Sequence, residues 1–479
     1  MSSDQSPECV ASGSPANPGV ALPQHVQRHD GTEVELVSFP PGDSANPRNW
    51  PTWRKWSIVI AIMLIDLTVS FTASGFSPAS TDFAKDFGVS GEVATLGLSL
   101  CVLGFALGPM TLAPLSEYYG RSPIYIASYG IFLFFILGTA LVQNLGGFLV
   151  LRFLSGWFCA VTIANFGGTI ADLFEPHETG PAMSLFLWAA TVGSPLGFFL
   201  FSCIAQHKGW RIVFWALLGI CGGLWLVMTA TLKETRHSVL LLRRAARERK
   251  QRGTDAIEVP DSMKQRGPRK LFKTALLRPF RFLFTEAIII FGALYNGYLY
   301  GLSFLFNGAF SLVFGTGGHG FDVLGVGLAF LGIVVGISIG PITNIWQERY
   351  YRRKIAQMGG RNVPEARVQL GRIAGIKDSY KIFSASALAG LGLIRNVAGA
   401  GFPLFGEQMF NYLGNQWAAS LLAFLAILLI PIPFILERYG RALRLRSPWA
   451  RQHMDDLTTE EEEEEEEGSC MPKDPGSES

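Results

Sequence analysis

Residues 123–142 read PIYIASYGIFLFFILGTALV and contain no charged side chain. A helix of about 20 residues is long enough to cross the hydrocarbon core of a bilayer. The run shows no polar stripe at helical spacing, so it lacks the water-facing side that a helix of a soluble protein needs. The stretch therefore predicts a membrane-spanning helix.

Ten runs of this kind occur along the chain. Charged residues make up only 16% of the sequence, against about 25% in soluble domains, and mean hydropathy is +0.28. The pattern predicts an all-α membrane protein with ten transmembrane helices, six before a basic linker and four after it. The predicted spans are Trp56–Phe76, Val93–Leu115, Pro123–Val142, Gly147–Ala171, Pro181–Ala205, Ile212–Leu232, Phe284–Phe306, Val323–Ile345, Ile382–Phe402 and Trp417–Ile435.

The spans divide the chain into five segments. The first and last are polar, and the last carries eight consecutive glutamates, Glu460–Glu467, a run that repels itself and predicts disorder. The predicted segments are a disordered cytosolic tail 1–55, a six-helix bundle 56–232, a basic linker 233–282, a four-span bundle 283–436 and a cytosolic tail 437–479.

The distribution of lysine and arginine among the loops predicts the orientation of the chain in the membrane. The linker 233–282 carries 15 Lys/Arg against 5 Asp/Glu, whereas the loops 143–146, 315–322 and 411–416 have neither Lys nor Arg. The positive-inside rule then places the linker and both termini in the cytosol of a multi-pass protein, for which we expect the plasma membrane. Beside a bilayer the linker is expected to meet anionic lipid heads or to enforce topology, and not to bind nucleic acid.

Ionisable groups inside the spans are few. Asp66, Arg152 and Arg395 lie well within predicted spans, and Glu286 opens the seventh at its cytosolic edge. Such groups are costly in a bilayer and mark functional sites by default. Asp66 and Arg152 have opposite charge and belong to the same half, and a carboxylate beside or near a guanidinium can exchange a proton against an organic cation. Alternatively, the arginines satisfy backbone carbonyls or extend to an interface. The six cysteines show no metal-site spacing, so no metal or cofactor is expected.

Four stretches, in order on the right spans, resemble signatures of the major facilitator superfamily. They are Ile65–Val69 (IDLTV), Leu115–Arg121 (LSEYYGR), Arg152–Gly156 (RFLSG) and Gly193–Gly197 (GSPLG). In the second of these, Glu117, Gly120 and Arg121 resemble the family's cytosolic signature loop. There the glycine allows a tight turn, and the acid and the arginine can lock two helices together.

Further stretches resemble one branch, the fungal drug- and polyamine-type proton antiporters. These are Asn46–Trp50, Gly209–Trp215, Leu232–Arg236, Arg361–Arg367 and Gly401–Phe405. The resemblance implies a two-bundle fold that exports small organic solutes against protons by alternating access, and not an enzyme. It suggests Asp66, Arg152 and Glu286 for proton coupling, and a substrate cavity lined by Tyr295, Asn296, Tyr298, Asn307 and Arg395.

The second half departs from the family pattern. The family has six spans in each half, whereas only residues 368–377 separate Pro364–Arg367, which normally introduces the ninth span, from Asp378, which resembles the entry to the eleventh. Two helices and their loops, roughly 60–70 residues, are missing by this comparison. A skipped exon, an erroneous gene structure and a degenerate paralogue all fit. We therefore expect poor transport by this chain, with a transport-incompetent protein or a small-solute importer as alternatives, and a monomer or a dimer that covers the open cavity wall.

Overall fold

The computed structural model describes residues 24–27, 33–40, 42–175, 178–253, 257–260, 276–277, 280–281, 283–315, 318–357, 384–429 and 431. The junction between Pro364 and Asp378, on which the predicted loss of two spans depends, lies outside these residues. So do the Glu460–Glu467 run, the first two residues of the ninth predicted span, and residues 430 and 432–435 of the tenth.

The chain divides into two compact units, and the larger comprises residues 52–235 and 266–479. Its long helices follow the apolar runs of the sequence. The helices of this unit are α1 (Thr52–Ser74), α2 (Ser80–Phe87), α3 (Gly91–Tyr119), α4 (Arg121–Leu141), α5 (Leu145–Cys159), α6 (Val161–Leu173), α7 (Thr179–Lys208), α8 (Trp210–Thr231), α10 (Ala287–Phe314), α11 (Val323–Gln357) and α12 (Ser384–Leu429).

Nine helices in the described part of the chain are long and apolar enough to cross a membrane, so the predicted count of ten is not confirmed. The difference arises in α12, whose 46 residues consist of two helices joined at Gly414 and contain most of the ninth and tenth predicted spans. The sequence predicts a loop before Trp417, but the chain stays helical through Pro403 and as far as Gly414. Gly414 alone has non-helical angles (φ 76°, ψ 160°) and kinks the helix.

Close helix packing depends on small residues. An ideal Cβ built on Gly156 of α5 would lie 2.1 Å from the carbonyl oxygen of Cys101 in α3, so only glycine permits this approach. In the first half, α3 packs on α5 and α1 on α7; in the second, α10 packs on α12. The two halves meet where α7 packs on α11 and α3 on α12.

The smaller unit comprises residues 1–51 and 236–265. It contains strands β1 (Gln24–Gln27), β2 (Glu33–Leu36) and β3 (Ile257–Glu258) and the helix α9 (His237–Arg252). β2 pairs antiparallel with β1 and parallel with β3. Its apolar core consists of Val37, Leu241, Ala245, Ile257 and Val259. The sequence predicted a disordered tail over residues 1–55 and a basic linker over residues 233–282. The structure describes regular secondary structure within both segments. The boundaries of the predicted segments stay predictions.

Candidate functional site

Asp66 lies on α1 with only 1% of its surface exposed. One carboxylate oxygen, Oδ1, accepts a hydrogen bond from the hydroxyl of Thr162 on α6 at 2.7 Å. The other oxygen, Oδ2, has no hydrogen-bond partner among the described residues. A buried carboxylate that keeps one oxygen free can take up and release a proton without breaking an existing bond.

A cation from the second half of the chain acts on this carboxylate at long range. Arg395 on α12 interacts electrostatically with Asp66 but forms no ion pair with it. The guanidinium carbon of Arg395 lies 4.6 Å from the centre of the Tyr300 ring on α10, a cation–π contact. The next residue, Asn396, donates from its amide to the carbonyl of Phe105 on α3 at 2.9 Å. The site therefore combines groups from both halves.

Arg152 is not the partner of Asp66. It is fully buried, and its guanidinium donates to the backbone carbonyls of Gly97 (2.8 Å), Thr72 (2.8 Å) and Ala73 (3.3 Å). Within the described residues it forms no ion pair with a carboxylate. The structure thus shows the backbone-bonded alternative for this arginine, which ties the end of α1 to α3 and α5.

Arg121 sits in a buried polar network at the start of α4. Its Nε lies 3.4 Å from Oδ2 of Asp172 on α6, and its Nη1 donates to the hydroxyl of Ser116 at 2.9 Å. The backbone N–H of Arg121 donates to Oε1 of Glu234, which follows α8, at 2.9 Å. Glu117, the acid that the sequence suggested, is half-buried and forms no hydrogen bond or ion pair with the described residues. The acidic residues that bind Arg121 are therefore Asp172 and Glu234.

Two glycines make room for this network. Gly120 has φ 108°, a value that strains any residue with a Cβ, and it forms the turn between α3 and α4. Gly168 on α6 faces the arginine, since an ideal Cβ there would lie 2.1 Å from Nη2 of Arg121. The sequence analysis missed Gly168 and Asp172. It quoted Glu234 within a family stretch without assigning it a role.

Within the described residues, no hydrogen bond or ion pair joins the remaining predicted residues to Asp66. Glu286 is buried directly before α10, and the 14 residues to Tyr300 correspond to about 21 Å along the helix axis. Tyr298 donates to the carbonyl of Leu422 on α12 and thereby joins two helices. Tyr295 and Asn296 are half-buried.

A cavity of about 870 Å³ opens at the other end of α10. Of the five residues predicted to line a substrate cavity, Asn307 lines this one, and Tyr295, Asn296, Tyr298 and Arg395 do not. Asn307 is 2% exposed, and neither its amide nitrogen nor its oxygen has a hydrogen-bond partner in the described part of the chain. An amide buried in this way is available to a ligand.

The lining of this cavity is acidic. It includes the carboxylates of Asp82, Asp322 and Glu407 and the ammonium of Lys85. The backbone N–H of Gly325 and the side-chain amide of Gln206 donate to Asp322 and lower its pKa, so it stays ionised. The cavity thus presents negative charge beside a free amide.

The sequence model of the Major Facilitator Superfamily matches residues 60–360, which include Asp66, Thr162, the Arg121 network and the cavity-lining residues of α10. The chain belongs to the major facilitator superfamily. It is therefore a multi-pass membrane transporter by family, and not an enzyme.

Curated relatives of this superfamily align along most of the chain. A major facilitator-type transporter of Penicillium rubens is 33% identical over 492 residues, covering 91% of this chain and 93% of the relative. A major facilitator superfamily multidrug transporter of Aspergillus fumigatus is 34% identical and covers 88% and 77%. An efflux pump of Gibberella moniliformis is 32% identical and covers 87% and 78%.

Proposed function

We propose that this chain has the site of a proton-coupled exporter of small organic solutes, drugs or polyamines among them, that works by alternating access. The observation that carries the proposal is the carboxylate of Asp66, buried in a membrane span with one oxygen bonded to Thr162 and the other without a partner in the part of the chain that the structure describes. Intramembrane carboxylates of this kind are typical of proton relays in transporters.

The charge that acts on Asp66 from the second half of the chain supports coupling. Its countercharge, Arg395, belongs to α12, whereas its hydrogen-bond donor, Thr162, belongs to α6. Motion of one half against the other changes the distance from Asp66 to Arg395 while leaving the bond to Thr162 in place. Protonation is favoured when the cation moves away, and proton release when it returns.

The direction of transport is inferred from the relatives. Two of them are described as a multidrug transporter and an efflux pump, and we extend export to this chain. The acidic lining of the cavity supports a positively charged or hydrogen-bonding solute, since Asp82, Asp322 and Glu407 outnumber Lys85 there.

The decisive experiment measures transport by the 479-residue chain. It is expressed in cells that lack their main exporters, and the accumulation of a labelled cationic drug or polyamine is followed with and without a proton gradient. Transport by this chain would appear as lowered accumulation that disappears when the gradient is collapsed and in Asp66→Asn, whereas the loss of two spans predicts little or no transport. Glu178→Gln, which alters an exposed carboxylate before α7, is the matched control and should transport normally. Export by Asp66→Asn with unchanged pH dependence would remove Asp66 from the coupling mechanism.

A second candidate function, a transport-incompetent membrane protein, is favoured by the alignments. Since 91% of this chain is about 436 residues, about 56 of the 492 positions aligned with the Penicillium relative hold no residue of this chain. That number is close to two spans with their loops. Absence of transport by a chain that reaches the membrane would favour this candidate. An open frame encoding two apolar spans between the codons for Arg367 and Asp378 in genomic DNA would then identify the missing helices.

We also propose that both termini and the linker face the cytosol of a plasma-membrane protein. The sorting of Lys and Arg supports this orientation. Single cysteines placed at positions 145 and 260 test it in intact cells. An impermeant reagent should label position 145 and not position 260, and the reverse pattern would invert the topology.

A further inference from the structure

Three basic side chains share one face of α9 in the smaller unit. Arg243, Arg247 and Lys250 follow one another at spacings of four and three residues, which places them on the same side of a helix. All three are exposed, and none forms an ion pair or hydrogen bond with the described residues. They are called the basic face below.

The basic face is opposite the packed side of the helix. Leu241 and Ala245, turned away from it by about 160° at 100° per residue, are buried in the core of the small unit with Val37. The helix is therefore held in a fixed rotation by its apolar side, and the basic face stays directed outward.

Neighbouring arginines of α9 behave differently. Arg244 binds Asp43 and Glu248, Arg249 donates to the carbonyl of Ile257, and Arg252 binds Glu35. These three hold the unit together. The charges that have no partner among the described residues are thus concentrated on one face of α9.

The chain connection limits the distance between α9 and the end of α8. It begins at His237, six residues after the last residue of α8, so the tether spans at most about 20 Å. Part of this tether is fixed, because Glu234 accepts the backbone N–H of Arg121 at the start of α4.

We propose that the basic face of α9 binds the anionic lipid headgroups of the bilayer in which the chain is embedded. A basic face on an amphipathic helix next to a transmembrane helix matches the charge and position of an anionic leaflet. The bound state would hold the small unit against the bilayer, independently of which solute is transported. Each basic residue near the surface increases the affinity for an anionic bilayer about fivefold. The three residues together therefore increase this affinity about 100-fold.

The test uses the full chain in lipid nanodiscs. Cys9, Cys203 and Cys470 are replaced by serine, and a fluorophore is attached at Ala246→Cys, an exposed position beside the basic face. Quenching by a headgroup nitroxide lipid, held at constant content, is compared between discs of phosphatidylcholine and discs that also contain phosphatidylserine. We expect stronger quenching with phosphatidylserine, and loss of this difference at high salt.

Charge variants distinguish lipid binding through the basic face from a general attraction of the chain to anionic lipid. The triple variant Arg243→Gln, Arg247→Gln, Lys250→Gln should lose the phosphatidylserine effect, whereas replacement by lysine at 243 and 247 should keep it. A control removes equal charge elsewhere, at the exposed residues Lys208, Lys233 and Arg281, and should retain most of the effect. Equal quenching in both lipids, or an unchanged response of the triple variant, would overturn the proposal. So would a response to phosphatidylserine that appears only after deletion of residues 460–467, because the acidic tail would then be the occupant.

Discussion

The hydroxyl of Thr162 donates to one carboxylate oxygen of Asp66 at 2.7 Å, and the other oxygen of Asp66 has no partner among the described residues. The two residues lie on α6 and α1, within the same half of the molecule. The oxygen that Thr162 orients and the oxygen that is open to a proton are therefore distinct. The proposed proton uptake and the structural support can be tested separately.

The first prediction concerns Thr162. Thr162→Val removes the hydrogen bond and leaves both oxygens of Asp66 without a donor, at a cost of about 1.5–3 kcal/mol to the ionised form. We expect proton-driven efflux to fall at least about tenfold, with normal amounts of protein in the membrane. Thr162→Ser keeps the hydroxyl and should retain efflux. If valine and serine behaved alike, the hydroxyl would have no part in coupling.

The second prediction concerns Gly168. Gly168→Ala places a Cβ where Nη2 of Arg121 lies and displaces the guanidinium from Asp172 and Ser116. We expect a loss of about 1–3 kcal/mol in stability, measured as a lower melting temperature in detergent. Gly167→Ala is the matched control, since a Cβ there meets no atom within 4 Å. Equal melting temperatures for the two variants would show that Arg121 moves aside freely.

The third prediction concerns Arg152, which the sequence suggested for coupling. Arg152→Lys retains the charge but cannot reach the carbonyls of Gly97, Thr72 and Ala73 together. We expect destabilisation by about 3 kcal/mol from buried carbonyls left unpaired and reduced surface expression. The protein that does reach the membrane should show the same pH dependence of efflux as wild type. A changed pH profile at normal expression would restore Arg152 to the coupling mechanism.

Sequence alone identified Asp66, because a single carboxylate in an apolar run is conspicuous. It could not identify Thr162 or Tyr300, since threonine and tyrosine are common in spans and their role depends on which helix faces which. It also coupled Asp66 to Arg152 from opposite charge within one half, whereas the interacting cation is Arg395 from the other half.

Helix positions followed from hydropathy, but the continuity of α12 through Pro403 did not, because proline and a polar stretch both favour a break.

The fourth prediction is a pH dependence in the smaller unit. The backbone N–H of Ala45, and the Arg244 guanidinium at 2.6 Å, lower the pKa of Asp43 from its ordinary value of 3.8. Because the folded pKa is below the unfolded one, ionised Asp43 stabilises the folded unit fully above about pH 4, and this stabilisation is lost as pH falls further.

Chymotrypsin cleavage within residues 239–242 reports the stability of this unit. At neutral pH, Arg244→Gln should increase cleavage, corresponding to about 1 kcal/mol for a partly exposed ion-pair network. Asp43→Asn should do the same. Gln251→Ala, which alters an exposed side chain of the same helix outside the basic face, is the control and should be cleaved at the wild-type rate. Equal cleavage of Arg244→Gln and Gln251→Ala would show that the contact with Asp43 contributes nothing to stability.

The last prediction distinguishes the contribution of Asn307 to solute binding from its effect on the stability of the protein. Both polar atoms of this buried amide lack partners within the described residues, so Asn307→Leu, which has the same branching and number of side-chain non-hydrogen atoms, removes an unsatisfied group and should stabilise the protein by about 1–2 kcal/mol. The same change removes the free amide from the 870 Å³ cavity and should raise the KM for an exported solute.

Ser99→Ala is the matched control: the Ser99 hydroxyl is also buried and unpartnered in the described part of the chain, but Ser99 does not line the cavity. It should raise the melting temperature and leave the KM unchanged. A higher melting temperature with an unchanged KM in Asn307→Leu would show that the amide does not contact solute. A lower melting temperature would show that the amide is already bonded in the native protein.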